Sequence, residues 1–230
     1  MVKELGAAGG IQISASHNPV EWNALKFFSA AGRNVDQSQL DQVLEVYHVG
    51  PRNIWQTWSR CGAWHQADHA TEVHLRRVLA AVDVELIRKR HFTVVIDSVN
   101  GAGSRIAPEL LARLACKVVP LYTRPDQVFP RDPEPNEANV RETGAVVKAV
   151  GADLGFVQDP DADRLAIIDG EGRFIGEEYT LVLCAAARIA ATLAAGTKPK
   201  DVVAVTNLST SRSCVSSSFM RVWSLSSSAS

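Results

Sequence analysis

Phe92-Thr93-Val94-Val95-Ile96-Asp97-Ser98-Val99-Asn100-Gly101-Ala102-Gly103-Ser104 decides the fold. The apolar, β-branched run Phe92–Asp97 reads as a strand, the two glycines turn the chain, and a helix follows over about Ser104–Ala115. The alternation continues outward with a strand at Lys117–Tyr122 and a loop carrying Pro125, Pro130, Pro133 and Pro135. Next come a helix near Val140–Val150, a strand at Asp153–Gln158, an acidic loop and a strand at Leu165–Asp169. Gly170-Glu171-Gly172 reads as a hairpin turn, Glu177–Ala195 as an alanine-rich helix ended by Gly196, and Asp201–Asn207 as a strand. Strands alternating with helices predict an α/β fold: mixed, mostly parallel sheets sandwiched by helices.

Upstream, Met1–Leu5 reads as a last helical turn stopped by Gly6 and the Gly9-Gly10 pair. Ile11-Gln12-Ile13-Ser14-Ala15-Ser16-His17-Asn18-Pro19 is an apolar strand running into a tight polar loop, because Asn18-Pro19 forces a turn. Leu25–Phe28 is a short strand, and Leu40, Val43, Leu44 and Tyr47 give Gln37–His48 a helical spacing. Residues 49–70, with Trp55, Trp58 and Trp64, read as connecting structure packed on the domain in preference to an aromatic binding box. A single helix over Thr71–Arg90, burying Val78, Leu79, Val82 and Leu86, is expected as an interdomain connector. Half of Ser213–Ser230 is serine without apolar period, the composition of a disordered tail.

The bulk composition, 46% hydrophobic and 21% charged over 230 residues, is that of an ordinary globular protein able to bury a sizeable core. A net charge of −1 gives no electrostatic reason to expect nucleic acid or an anionic membrane as partner. Leu181–Ala195, interrupted by Arg188, falls short of the roughly 20 residues of a membrane span. No charged-then-apolar leader opens the chain. Cys61, Cys116, Cys184 and Cys214 form no CxxC pair and read as ordinary thiols of a reducing compartment, so a cytoplasmic location is expected.

Two loops carry chemistry. Asp159-Pro160-Asp161-Ala162-Asp163-Arg164 sets carboxylates at alternate positions just past a strand's carboxyl end, where open α/β sheets place ligands. Close carboxylates repel unless a cation neutralises them, so a hard-cation site is the stronger reading and a solvated acidic turn the weaker. An EF-hand fails, since Arg164 and Gly170 stand where its glycine and bidentate glutamate belong. Asn100–Ser104 resembles the start of a dinucleotide fingerprint, but Ile106 replaces the third glycine, which favours a tight strand-to-helix turn. Ser16 sits at a strand end where a hydroxyl can be held exposed; His17 and Lys26 gain meaning from being near it. A serine loop plus a divalent-cation loop points to phosphoryl transfer.

At these residues the chain resembles the α-D-phosphohexomutases, the group of phosphoglucomutase, phosphomannomutase and phosphoglucosamine mutase. Ser14-Ala15-Ser16-His17-Asn18-Pro19 is similar to their phosphoserine loop and Asn23-Ala24-Leu25-Lys26 to the segment that brings in a lysine. Asp159–Arg164 is similar to their magnesium loop, and Asn207–Arg212 to the first strand and turn of their third domain. The resemblance implies that Ser16 carries the phosphoryl group and that His17 and Lys26 assist proton transfer and charge balance. It implies that Asp159, Asp161 and Asp163 hold Mg²⁺ against the Ser16 phosphate, while Arg164 contacts the phosphate or the substrate. The partners it implies are a hexose phosphate and a hexose 1,6-bisphosphate, the latter turning around between two transfers.

Such enzymes have four domains around a cleft, and the resemblance runs only from about Gly9 to Arg212. The expected organisation is a partial domain I at 1–70, a complete domain II at 71–175, the start of a domain III at 176–212, and an aberrant tail at 213–230. A fragment of this kind is expected to lack useful mutase turnover by itself. Two readings compete with it: an aspartyl-phosphate phosphatase or mutase with Asp159 as nucleophile and Asp161 as acid, and a catalytically dead fragment. The first explains the acidic loop but leaves Ser16 and His17 without a role.

Overall fold

The computed structural model describes residues 1–50, 57–176, 178–194 and 196. Trp55, the expected strand at 201–207 and the serine-rich tail lie outside them. Met1–Gly6 makes one helical turn, Leu5 N donating to Met1 O at 3.0 Å, and leaves it at Gly6 with φ +57°. Strand β1 (Gly9–Ile13) then pairs antiparallel with β2 (Leu25–Ser29), Gln12 opposite Lys26 and Ile13 opposite Leu25. Helix α1 (Gln37–Val49) starts at a capping box: the Asp36 side chain accepts from Gln39 N while the Gln39 side chain accepts from Asp36 N.

The connecting region departs from expectation. Trp58 and Trp64 are 89% and 85% exposed, so neither packs on the domain. The single helix expected over Thr71–Arg90 is two, α2 (Ala70–Leu79) and α3 (Val84–Arg88). Asp83 breaks it, since its carboxylate accepts from Leu86 N and so starts a new helix. The break resets the helical phase. Upstream of it Val73 and Leu75 are the buried residues and Val78 and Leu79 are half-buried, while Val82 and Leu86 at the break and beyond are exposed.

The central sheet follows with β3 (Thr93–Asp97), α4 (Gly103–Arg113), β4 (Lys117–Leu121), α5 (Arg141–Val150), β5 (Leu154–Gln158) and β6 (Leu165–Asp169). Its strand order is β4-β3-β5-β6. β3 is parallel to β4 and β5, and β6 runs antiparallel to β5. Alternation along β3 sends its side chains to opposite layers. Val94 and Ile96 pack with Ala107 and Leu111 of α4; Val95 packs with Val140 and Val147 at α5 and with Val157 and Ile168. The mixed, mostly parallel, helix-covered sheet is thus as the sequence predicts. Helix α6 (Glu178–Ala194) leads away, tied back where Thr180 Oγ1 donates to Leu165 O at 2.7 Å. Among the described residues no helix is long and apolar enough to cross a membrane.

The chain leaves β3 toward β4 on one side and returns through α5 to β5 on the other. The carboxyl ends of β3 and β5 therefore flank a topological switch point, where open sheets bind ligands.

Candidate active site

Asp159, Asp161 and Asp163 follow β5 at that switch point. The loop closes on itself: Ala162 N donates to Asp159 O at 3.1 Å with Ala162 in a left-handed conformation (φ 60°), and Arg164 N donates to Asp159 Oδ1 at 3.1 Å. One oxygen from each carboxylate lies within 4.8 Å of the others. The loop is not a wholly solvated turn, because Asp159 is 0% exposed and Asp161 half-buried, while Asp163 is exposed. Asp159 Oδ2 and Asp161 Oδ1 are buried without a hydrogen-bond partner. Buried carboxylate oxygens side by side are costly unless the two carboxyls share a proton or a divalent cation replaces it. The donor set, oxygen only, fits a hard cation.

The titration behaviour follows from this crowding. Burial, and then the shared contact with Asp161, pushes the Asp159 carboxyl up to about 7. Burial also works to raise Asp161, but hydrogen bonds from Lys26, Asp159 and Ser14 outweigh it and hold its carboxyl below the ordinary range. Lys26 is raised by its bond to Asp161 and stays cationic.

The serine loop reaches this acidic loop directly. Lys26 Nζ lies 2.6 Å from Asp161 Oδ2, and Ser14 Oγ donates to the same oxygen at 3.1 Å across 147 residues of sequence. Ser16 N in turn donates to Ser14 Oγ at 3.0 Å. Ser16 holds φ 56°, a conformation that non-glycine residues adopt rarely and that marks functional loops. Asn18 steadies the turn, its side chain and its amide both donating to Ala15 O. Ser16 Oγ is 3.4 Å from His17 Nδ1, close enough for a proton to pass between them on modest tightening.

The structure thus brings Ser16, His17, Lys26, Asp159, Asp161 and Asp163 to one place. Arg164 joins through its backbone, and its guanidinium lies 3.7 Å from Glu134 of the proline-rich loop. A cavity of about 440 Å³ opens between the loops, with Ser14, Ser16, Trp22, Ala102, Phe129 and Asp161 in its wall.

Three supports escaped the sequence reading. Ser14 looks like one more alternating strand residue, and nothing in its spacing announces a bond to Asp161. Asp97, fully buried at the end of β3, accepts from Thr143 Oγ1 at 2.7 Å and from Arg131 at 3.1 and 3.3 Å, which pins the proline-rich loop over the sheet. The third is the role of the glycine turn after β3, which the sequence marks as a tight strand-to-helix turn but not as a seat for the acidic loop. It is no dinucleotide site: a Cβ on Gly101 would fall on the Pro160 backbone and one on Gly103 on the Gln158 side chain. Gly101 leaves room for the acidic loop at Pro160, and Gly103 for the Gln158 side chain at the end of β5.

Comparison with known proteins agrees with this architecture. Residues 1–50 match the family model for phosphoglucomutase/phosphomannomutase, alpha/beta/alpha domain I, and residues 72–172 match the model for domain II. The chain is 41% identical over 180 residues to a phosphoglucomutase/phosphomannomutase of Thermococcus kodakarensis, covering 78% of this chain and 39% of that protein. It is 33% identical to a phosphoglucosamine mutase of Pelotomaculum thermopropionicum over 80% of this chain and 41% of that one. Among solved structures, a phosphoglucomutase/phosphomannomutase family protein of Burkholderia thailandensis superposes with a TM-score of 0.67 at 26% identity, over 81% of this chain and 39% of the other. The chain spans about two fifths of the length of the relatives it matches.

Proposed function

The chain belongs to the phosphoglucomutase/phosphomannomutase family, and on that premise we propose that it carries the phosphoryl-transfer half of a hexose phosphomutase site. Ser16 Oγ is the phosphoryl carrier. In transfer, the bond between phosphorus and Ser16 Oγ breaks as a bond forms to a hydroxyl of the hexose phosphate. The proton of that hydroxyl leaves to a protein base while Ser16 Oγ takes up a proton as its phosphoryl group departs. In the return transfer Ser16 Oγ gives up that proton as it bonds the other phosphate of the bisphosphate, and the hexose oxygen released is protonated. His17, at 3.4 Å, stands beside the oxygen at which a proton must be held or moved. Lys26 supplies a fixed positive charge against the transferring oxygens, and Arg164 is the further cation proposed to contact the phosphate or substrate.

Asp159, Asp161 and Asp163, with an oxygen of the Ser16 phosphate, are the residues that would hold Mg²⁺. Such an ion, when bound, neutralises charge on the moving phosphoryl group. The hexose itself is proposed from the names of the relatives, which act by those names on glucose, mannose or glucosamine phosphates.

One observation carries this reading: the serine loop and the acidic loop converge on a single carboxylate, Asp161, beside two buried oxygens that lack a partner. The rival reading, Asp159 as nucleophile, is disfavoured by the burial of Asp159 and by its leaving Ser16 and His17 without a role. Incubation with a hexose 1,6-bisphosphate labelled in phosphate, followed by peptide mapping, tests the proposal. Acid-stable label on the Ser16 peptide, lost in Ser16→Ala, is expected. Hydroxylamine-labile label on the 159–164 peptide, or label that survives Ser16→Ala, overturns it.

A further inference from the structure

Asp161 presents two unlike edges. Its Oδ2 is taken by Lys26 and Ser14, while its Oδ1, like Asp159 Oδ2, is buried with no donor beyond the proton that the two carboxyls share. The Lys26 ammonium acts electrostatically on all three carboxylates of the loop, and the Asp161 side chain it grips is only 4% exposed. The Lys26 side chain is 36% exposed, so solvent screens its charge in part, but whatever else binds Asp161 still does so against that ammonium.

We propose that Lys26 is an internal counter-ion of the acidic triad, which keeps divalent-cation affinity low until Ser16 is phosphorylated. The second half rests on Ser16 being the phosphoryl carrier; the first half does not. A divalent ion held by Asp161 and Asp159 would stand across one carboxylate from a fixed positive charge, and like charges that close repel even with part of the field screened. Lys26 sits on β2 opposite Gln12, within the sheet that carries the serine loop. A phosphoryl group on Ser16, bringing roughly −1.5 to −2 charges and three acceptor oxygens, would give the ammonium a second partner. The repulsion is then offset and the cation can load. The triad is thereby tuned to be occupied when there is a phosphoryl group to move.

The test uses the full, unphosphorylated chain and Mg²⁺ alone, followed by titration calorimetry. Lys26→Met should bind Mg²⁺ at least roughly tenfold more tightly than the unaltered chain, because a like charge has been removed. Lys26→Arg, which keeps the charge, should stay within about twofold of it. Affinity in Lys26→Met that is equal, weaker or undetectable, with an unchanged circular dichroism spectrum, overturns the proposal. A measurement on the unaltered chain guards against misfolding of the variant. Mg²⁺ should raise the acetylation of Lys26 by acetic anhydride, read by peptide mass mapping, as the ammonium is displaced, while Lys117 serves as the reference. Unchanged or reduced labelling of Lys26 overturns the proposal equally. None of these arms needs Ser16 to accept phosphate, so failure here and absence of label on Ser16 are separate results.

Discussion

The amide of Ala102 donates to the carbonyl of Pro160 at 2.7 Å, so the turn after β3 is the floor on which the acidic loop after β5 rests. Ser98 Oγ adds a bond to Gln158 Oε1 at 3.0 Å from the same turn. Two segments of sequence far apart are thereby one rigid unit at the switch point of the sheet.

A side chain on Gly101 should break that unit. Its Cβ would meet the carbonyl and Cα of Pro160, which are backbone atoms and cannot rotate aside. Gly101→Ala is expected to cost about 2 kcal/mol or more, the scale of forced overpacking, and to displace the acidic loop. Urea unfolding should show a lower midpoint with unchanged slope, and Mg²⁺ binding should weaken. A variant as stable as the unaltered chain would show that the loop is not seated on this glycine.

Arg131 should matter as much, though it is remote from any reacting atom. Its guanidinium meets the fully buried Asp97, and removing it leaves a carboxylate with Thr143 and the Val99 amide as its partners. Arg131→Met is expected to destabilise by about 3–5 kcal/mol, the range for breaking a buried pair from one side. Adding Asp97→Asn should recover part of that loss, since no charge is then stranded. Denaturant unfolding of both variants decides it, and a double variant worse than the sum of the singles would refute the stranded-charge account.

These two cases show where reading the sequence stops. Local signals carried the sheet: the β-branched run of β3, the glycine turn after it, and the alternation of strand and helix that follows. The acidic loop was legible because three carboxylates at alternate positions are chemically conspicuous. The break at Asp83 was not, because a capping aspartate inside a helical spacing looks like any surface charge until the phase shift exposes Val82 and Leu86. Asp97 with Arg131, and Ser14 with Asp161, are long-range pairs whose partners only the fold selects. The apolar spacing of α1 was read correctly, yet Leu44 and Tyr47 stay exposed, because periodicity reports a face and not what covers it.

Stability should depend on pH through Asp159. Its carboxyl titrates near 7 when folded and at an ordinary acidic value when unfolded, so the folded chain holds the extra proton between about pH 4 and 7. By linkage, stability falls as pH rises through that window. Asp161, held low, acts in the opposite sense and only at more acidic pH. With chelator present, the thermal midpoint should be lower at about pH 8 than at about pH 5, and Mg²⁺ should restore it at the higher pH alone, where the cation replaces the proton. Asp159→Asn should abolish both the slope and the response. Equal responses to Mg²⁺ at the two pH values would exclude Asp159 as the titrating group.

Ser14 is the residue whose loss should separate positioning from chemistry. Its hydroxyl accepts from Ser16 N and donates to Asp161 Oδ2, so one small side chain fixes the Ser16 backbone relative to the carboxylate that Lys26 grips. Ser14→Ala keeps every charged group and removes both bonds. A hydrogen bond to a charged partner is worth about 1.5–3 kcal/mol, so phosphoryl uptake on Ser16 from a hexose 1,6-bisphosphate should slow by roughly ten- to a hundredfold. Ser14→Thr, which retains the hydroxyl, should recover most of the rate. The fold should hold, because Ser14 N still donates to Ala24 O at 3.0 Å. Single-turnover labelling of the three proteins, with circular dichroism as the control, gives the comparison. If Ser14→Ala labels as fast as the unaltered chain, the two loops are held together by Lys26 alone.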